Sequence, residues 1–368
     1  MVLVKARRDE LLGPLSAVSG IIERRHTLPI LSNVLIELGA GALAFLATDI
    51  EIQITARGVV VPAGEARAVT VGARKLVDIL RALPDDAEVT LQQQDKRLLL
   101  KAGKSRFSLQ TLPAEDFPRL AKPAGEVARF SLQQKALRRL LGLVQYAMAQ
   151  QDIRYYLNGL LMVVEDKTLT LVATDGHRLA YASTVLAAPL PRQEVIVPRK
   201  TVLELSKLLA DSEAEVRVEL SSTQAAFVFG AVELVSKLVD GKFPDYTRVI
   251  PVGHKNRLSI DREVLRQALL RAAILSNEKF RGVRWVLTDG SLKIVSSNTE
   301  QEEAEETLDV TYSGDALDIG FNVNYLLDVL NNVAASEVEC RFGDSASSAL
   351  MSFPSEAEFK YVVMPMRI

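Results

Sequence analysis

The sequence predicts an α+β protein built as three similar domains, and three observations carry that prediction. Its 368 residues exceed what a single hydrophobic core organises. Landmarks recur in register: Arg74-Lys75 returns as Arg199-Lys200, Thr48-Asp49 as Thr174-Asp175, and Phe117-Pro118 as Phe243-Pro244, at offsets of 125, 126 and 126 residues. A period of that length is several times the roughly 20 to 50 residues of a solenoid unit, so each copy is a domain and not one turn of an array. Within every copy, helical periodicity and strand alternation follow one another in the same order.

Each copy opens on a long apolar-periodic helix, predicted over 8–25, 132–150 and 261–276, with Leu11, Leu137 and Leu265 heading similar patterns. Pro14 should kink the first of these or delay its start, because proline removes a helical N–H and crowds the preceding turn. Alternating strands around the Thr-Asp landmark come next. A shorter helix follows, at about 74–83, 199–210 and 323–333, and then more alternating strands. Proline and glycine interrupt the periodicity in LAKPAGEVA, 120–128, and RVIPVGHKNR, 248–257, which gives expected domains of 1–122, 128–250 and 254–368.

Composition narrows the function classes. With 48% apolar and 24% charged residues the chain is an ordinary folded protein, not a disordered or low-complexity one. No run of about 18 apolar residues and no secretory leader pattern occurs, so a cytoplasmic protein away from membranes is expected. The single Cys340 suits a reducing compartment and reads as a small apolar filler. Because 44 basic and 46 acidic side chains nearly cancel, any grip on nucleic acid must come from a local basic surface.

Such surfaces are written into the helices. The stretch 132–151 carries Lys135, Arg138 and Arg139 with no acid; the short helices begin at Arg74-Lys75 and Arg199-Lys200; Arg7, Arg8, Arg24 and Arg25 bound the first long helix; the third short helix has neutral residues around Asn324. Each could be a solvated face. Repeated on equivalent helices, they could instead form one basic lining that holds duplex phosphates without reading bases. A second asymmetry pairs KRLLLKAGKSR, 96–106, all basic among its charges, with EQEEAEE, 300–306, all acidic. These are either solvated loops or complementary ends for head-to-tail assembly, with Phe107, Leu109, Ile274 and Leu275 supplying the apolar contact that exposed charges cannot.

No catalytic constellation is present. Gly103-Lys104-Ser105 resembles the tail of a phosphate-binding loop, but Leu98 stands where the leading glycine belongs. His26, His177 and His254 lack metal-ligand spacing, and ATDGHRL reads as a turn, not a relay. No cofactor is expected. The remaining rivals are a ring- or array-shaped scaffold that assembles other proteins and never encircles DNA, and an enzyme whose site is assembled across subunits.

The blocks TLPILSN, SRFSLQTLPAEDFP, QDIRYYLNG, ATDGHRLA, VIVPRK, SKLVDGKFPDY, AAILSNEKFRGVR, NTEQEEAEE, GFNVNYLLDVL and the terminal YVVMPMR closely resemble the β sliding clamp of bacterial DNA polymerase III, from end to end. The resemblance implies a head-to-tail homodimer whose six similar domains ring duplex DNA, with helices lining the hole and sheets outside. It implies DNA contacts at Arg25, Arg74, Lys75, Gln151, Tyr155, Tyr156, Arg199, Lys200 and Arg281. The dimer contact it implies joins Lys75, Phe107, Leu109 and the basic Arg97, Lys104 and Arg106 of the first domain to Ile274, Leu275 and Glu300, Glu302, Glu303, Glu305 and Glu306 of the third.

It further implies a cleft for short linear motifs of the clamp loader, replicative and translesion polymerases, mismatch repair proteins and ligase. Its lining would come from IRYYL (Arg154, Leu157), TDGHRL (Thr174, Gly176, His177, Arg178, Leu179), FPDYTRV (Pro244, Arg248, Val249), FNVNY (Asn322, Tyr325) and Ser348. The terminal Val362, Val363, Met364, Pro365, Met366 and Arg367 complete it. Ala346, Ala349 and Ile368 depart from the family's bulkier or leucine residues, which bears on cleft shape. Two methionines and Pro365 near the end suggest an edge strand open to a peptide, against the alternative of a buried final strand.

Overall fold

A computed structural model of the chain describes residues 2–23, 28–39, 42–58, 67–121, 123 and 126–367. A strand, a long helix, a run of strands, a short helix and three more strands recur three times, with four, two and five strands between the two helices of successive copies among the described residues. β1 (Val2–Arg7) leads into α1 (Arg8–Ser19), then β2 (Asn33–Gly39), β3 (Ala42–Thr48), β4 (Ile52–Gly58), β5 (Arg67–Gly72), α2 (Ala73–Ala82), β6 (Glu88–Gln94), β7 (Arg97–Ala102) and β8 (Ser105–Gln110). β9 (Ala128–Gln133) and α3 (Gln134–Val144) precede two long strands, β10 (Gly159–Thr174) and β11 (Arg178–Pro198), then α4 (Arg199–Leu208), β12 (Glu215–Leu220), β13 (Gln224–Phe229) and β14 (Val232–Lys237). The last round is β15 (Asn256–Asp261), α5 (Arg262–Ile274), β16 (Gly282–Thr288), β17 (Ser291–Ser297), β18 (Glu303–Asp309), β19 (Thr311–Ser313), β20 (Leu317–Asn322), α6 (Val323–Asn332), β21 (Glu337–Phe342), β22 (Ala349–Ser352) and β23 (Phe359–Val363).

Backbone contacts group these into two compact units: Met1–Leu137 with Leu203–Leu238, and Arg138–Val202 with Val239–Ile368. The first holds a four-stranded sheet, β1-β6-β7-β8, and an eight-stranded sheet, β5-β2-β3-β4-β14-β13-β12-β9. The second holds a seven-stranded sheet, β10-β11-β23-β22-β21-β15-β19, and a four-stranded one, β18-β17-β16-β20. The units cut across the sequence repeat because strands of neighbouring copies pair: β14 with β4 through Val232↔Ala56 to Ser236↔Ile52, and β11 with β23 through Arg178↔Val363 to Ala182↔Phe359.

One joint is built alike in every copy. The first residue of each long helix donates its N–H to a carbonyl just before the strand that follows the short helix: Arg8 to Ala87 O, Gln134 to Ala214 O and Arg262 to Ser336 O, each at 2.8 Å. Side chains reinforce it. Arg8 Nε donates to Leu80 O at 2.9 Å, and Arg262 donates through Nε to Ala335 O at 2.7 Å and through Nη1 to Leu330 O at 2.6 Å. The last carbonyls of α2 and α6 thereby gain the cationic donors that a helix C-terminus lacks. Arg8, counted above with the basic helix ends, is therefore a structural cap.

The first long helix ends at Ser19, short of the expected residue 25, and Pro14 lies inside it without delaying its start. Proline leaves Glu10 O without its helical donor. Gly58 of β4 passes there, where a Cβ would stand 3.5 Å from that oxygen and 3.7 Å from the Pro14 ring. The terminal strand also differs from expectation. β23 lies between β11 and β22, with Tyr361, Val362 and Val363 buried, and is no edge. Pro365 falls two residues past its end, so the missing N–H costs the sheet no ladder bond.

Candidate partner cleft and basic surfaces

The Thr-Asp landmark is a self-bonded turn. Thr48 Oγ1 donates to Ile52 O at 2.8 Å, while Asp49 Oδ1 accepts from the N–H groups of Glu51 and Ile52 at 3.0 and 2.8 Å. In the second copy Thr174 Oγ1 donates to Arg178 O at 2.5 Å, and Asp175 Oδ1 accepts from His177 and Arg178 N–H at 2.9 and 3.1 Å. The residue after the Asp must turn left-handed: Ile50 has φ +73° and Gly176 has φ +89°. Glycine matters more in the second copy, because the Arg154 guanidinium lies 2.9 Å from where a Gly176 Cβ would stand. Arg154 Nη2 also donates to Asp175 O at 3.1 Å and pairs with Asp152 at 2.8 Å.

This turn forms one wall of a cleft of about 210 Å³ in the second unit. Of the residues expected there, Arg154, Leu157, Thr174, Gly176, His177, Arg178, Leu179, Pro244, Val249, Val362 and Met364 line it. Phe243 and Tyr246 line it as well and were missed. Phe243 carried a signal, since its repeat partner Phe117 plugs a cluster with Leu35 and Leu46, just as Phe243 packs among Leu157, Leu179, Ile196 and Val362. Met364 is 44% exposed at the mouth, tethered by its N–H to His177 O at 2.8 Å. Leu350, beside Ala349, packs on the apolar floor.

The other expected cleft residues are placed elsewhere. Tyr325 backs the wall, its ring stacked on His177 at 6.4 Å. Val363 is buried in its sheet, and Ser348 is half-buried outside the lining. Arg248 pairs with Asp245 at 3.0 Å, and Asn322 caps α6. Met366 and Arg367 line a separate hollow with Asn277, Phe280, Gly282 and Ser297, while Pro365 bridges the two and lines neither.

Beneath the cleft Arg178 organises the charge. Its side chain is 9% exposed, sits 4.5 Å from the Tyr325 ring centroid, pairs with Asp175 and Asp328, and donates to Tyr146 O at 2.7 Å. Burial disfavours the guanidinium, but Tyr361, Asp328 and Asp175 outweigh it and raise its pKa. Burial likewise raises the Tyr361 and Tyr146 hydroxyls. Hydrogen bonds from Arg154 lower the Asp152 carboxyl to about 2. These are fixed cations and neutral phenols around an apolar hole, suited to binding an apolar side chain beside an anionic or carbonyl group. Among the described residues no group of acids, histidines and cysteine could hold a metal.

The expected phosphate contacts divide. Arg74 and Lys75 are exposed at the start of α2 and border a groove of about 360 Å³ with Leu109 and Leu112. Gln151 is exposed with φ +56°, and Tyr155, 58% exposed, stands edge-on to Tyr156 at 5.8 Å. Arg199 instead donates to Met148 O at 3.1 Å, and burial, then Arg178, lowers its pKa. Arg281 donates to Ala273 O at 3.2 Å, and Lys200 is half-buried. Arg25 lies outside the described residues.

Six of the expected dimer residues, Arg106, Phe107, Leu109, Glu303, Glu305 and Glu306, fall on two edge strands. β8 ends the β1-β6-β7-β8 sheet, with Phe107 and Leu109 half-buried along it and Arg106 exposed; β18 ends the β18-β17-β16-β20 sheet, with exposed Glu303 and Glu305. Arg97, Lys104, Glu300 and Glu302 are exposed nearby in sequence, Ile274 is 76% exposed and Leu275 half-buried. Glu306 is bound within its own chain, accepting from Arg271 at 2.7 and 2.6 Å. Gly103 turns left-handed between β7 and β8, φ +54°, so Gly103-Lys104-Ser105 is a hairpin turn and no phosphate loop.

Three family profiles cover the chain: the N-terminal, central and C-terminal domains of the DNA polymerase III beta subunit match residues 3–121, 131–245 and 247–367. The beta sliding clamp of Pseudomonas aeruginosa is 49% identical over 365 residues, 98% of this chain and 99% of that protein. The Escherichia coli K12 clamp is 48% identical over 361 residues, 98% of each. The crystal structure of the P. aeruginosa subunit superposes with a TM-score of 0.96 at 48% identity, and that of Caulobacter crescentus with 0.93 at 39%, each covering 100% of both chains. The three domains, the fold and the identity agree, and the chain belongs to the β sliding clamp family, the beta subunits of DNA polymerase III that act as processivity clamps in DNA replication.

Proposed function

We propose that two copies of this chain pair head to tail, β8 of one against β18 of the other, and enclose duplex DNA while the cleft docks replication and repair proteins by short linear motifs. The cleft carries the partner half of the reading: eleven residues drawn from four separate sequence blocks line one apolar hole, with Met364 at its mouth. Thioether flexibility suits a site that admits varied side chains. The clamp loader, replicative and translesion polymerases, mismatch repair proteins and ligase are the partner classes. Tethering one of them raises its effective concentration at a primer end, which is how processivity follows without catalysis by the clamp.

Two strands at sheet edges with no further strand partner among the described residues, β8 with exposed Arg106 and β18 with exposed Glu303 and Glu305, support the pairing. Arg74, Lys75, Gln151, Tyr155 and the basic face of α3 support contact with phosphates that need not read sequence. A topological test separates this from groove binding. Loaded clamp should remain on closed circular DNA and be lost from linear DNA through its ends; equal retention on both would refute encirclement.

A further inference from the structure

α3 buries Leu137, Leu140, Leu141 and Val144 and exposes Lys135, Arg138 and Arg139. No acid lies on the helix, yet tertiary structure brings two to it. Lys135 Nζ donates to Glu213 Oε1 at 2.6 Å, from the segment between α4 and β12. Arg139 is ion-paired with Glu356, from the segment between β22 and β23. The Glu356 side chain is 15% exposed against 61% for Arg139, so the carboxylate is the anchored partner. That pair borders a groove of about 580 Å³ with Leu143, Ser183 and Phe359. Glu213, 75% exposed, is the looser of the two. Arg138 has no ion pair among the described residues.

We propose that Glu356, and more weakly Glu213, are counter-charges that set how tightly α3 holds duplex phosphates, leaving Arg138 as its one uncompensated cation. The proposal rests on the reading that α3 faces DNA. A phosphate reaching Arg139 meets a guanidinium already answered by a largely buried carboxylate, so its approach displaces fewer counterions than an uncompensated arginine would. Where affinity is replaced by enclosure, weak contacts favour sliding. The two glutamates are thus positioning residues for mobility, and their removal should trade mobility for grip.

The test uses the full chain and a fluorescent duplex of about 20 base pairs, with anisotropy read across about 50 to 200 mM salt. Each added phosphate contact steepens the salt dependence by about 0.9 in log–log slope, about threefold over that range. Glu356→Gln should bind more tightly at low salt and lose about threefold more affinity across the range, with an unchanged melting curve. Glu213→Gln should move the same way by less, since exposed pairs couple weakly. Arg138→Gln should weaken binding. If Arg138→Gln changes nothing, α3 does not face DNA and the reading beneath the proposal fails. If it weakens binding while both glutamate variants keep the parental affinity and slope, the counter-charge proposal alone fails.

Discussion

Arg154 shows how much one side chain can hold. It binds Asp152 on its own loop, donates to Asp175 O across the turn, and lies flat against Gly176, whose missing Cβ leaves the room. Gly176→Ala should therefore cost about 1–2 kcal/mol for the left-handed backbone. It should also push the guanidinium out of the cleft wall, lowering affinity for a motif peptide by about tenfold. Calorimetry and peptide titration measure the two effects, and full affinity in a destabilised variant would show that Arg154 plays no part in docking. The same contact sets a proton. Asp152 titrates near 2, below its ordinary 3.8, so the stability it contributes is present above pH 4 and is lost as pH falls through about 2. In Arg154→Ala its carboxyl should return toward 3.8, as carbon-detected NMR would register; a value still near 2 would assign the shift elsewhere.

The helices are easier to read from residue spacing than the strands that flank the cleft. Amphipathic spacing located the six α-helices found among the described residues, because a helix face is written at i, i+3 and i+4 regardless of its neighbours. The terminal strand was ambiguous, because Val and Met suit an edge or an interior alike, and only pairing with β11 and β22 decided for the interior. Its exposed continuation is where the partner reading can be cut cleanly. Deleting residues 364–368 leaves β23 intact and should abolish binding of a labelled hexapeptide motif while the dimer persists by light scattering. Persistent peptide binding would remove Met364 from the site. The opposite dissection targets the edges. Leu109→Asp or Ile274→Asp should convert dimer to monomer by sedimentation, since Ile274 is apolar and 76% exposed and ion pairs at an open edge contribute only about 0–1 kcal/mol. A dimer that survives both would place the interface elsewhere.

For the whole molecule, three sequence repeats and two contact units are both present, because hydrogen bonding ignores the repeat. β14 carries a full edge of ladder bonds to β4, so a fragment of residues 128–250 would expose that edge to solvent and to aggregation. Such a fragment should melt well below the full chain or precipitate, and one as stable as the whole would show that the shared sheet contributes little. The sequence by itself determined the threefold repeat, the helices and the turn at Thr174-Asp175, since each is carried by local spacing, while the eleven expected residues that line the cleft were named by the resemblance of whole blocks. Tertiary structure alone decided which charges are free. Arg8 and Arg199 are consumed on backbone carbonyls, and Lys135 and Arg139 are answered by Glu213 and Glu356 more than 75 residues away. Charge is legible in a sequence, but its screening depends on what the fold brings within a few ångströms.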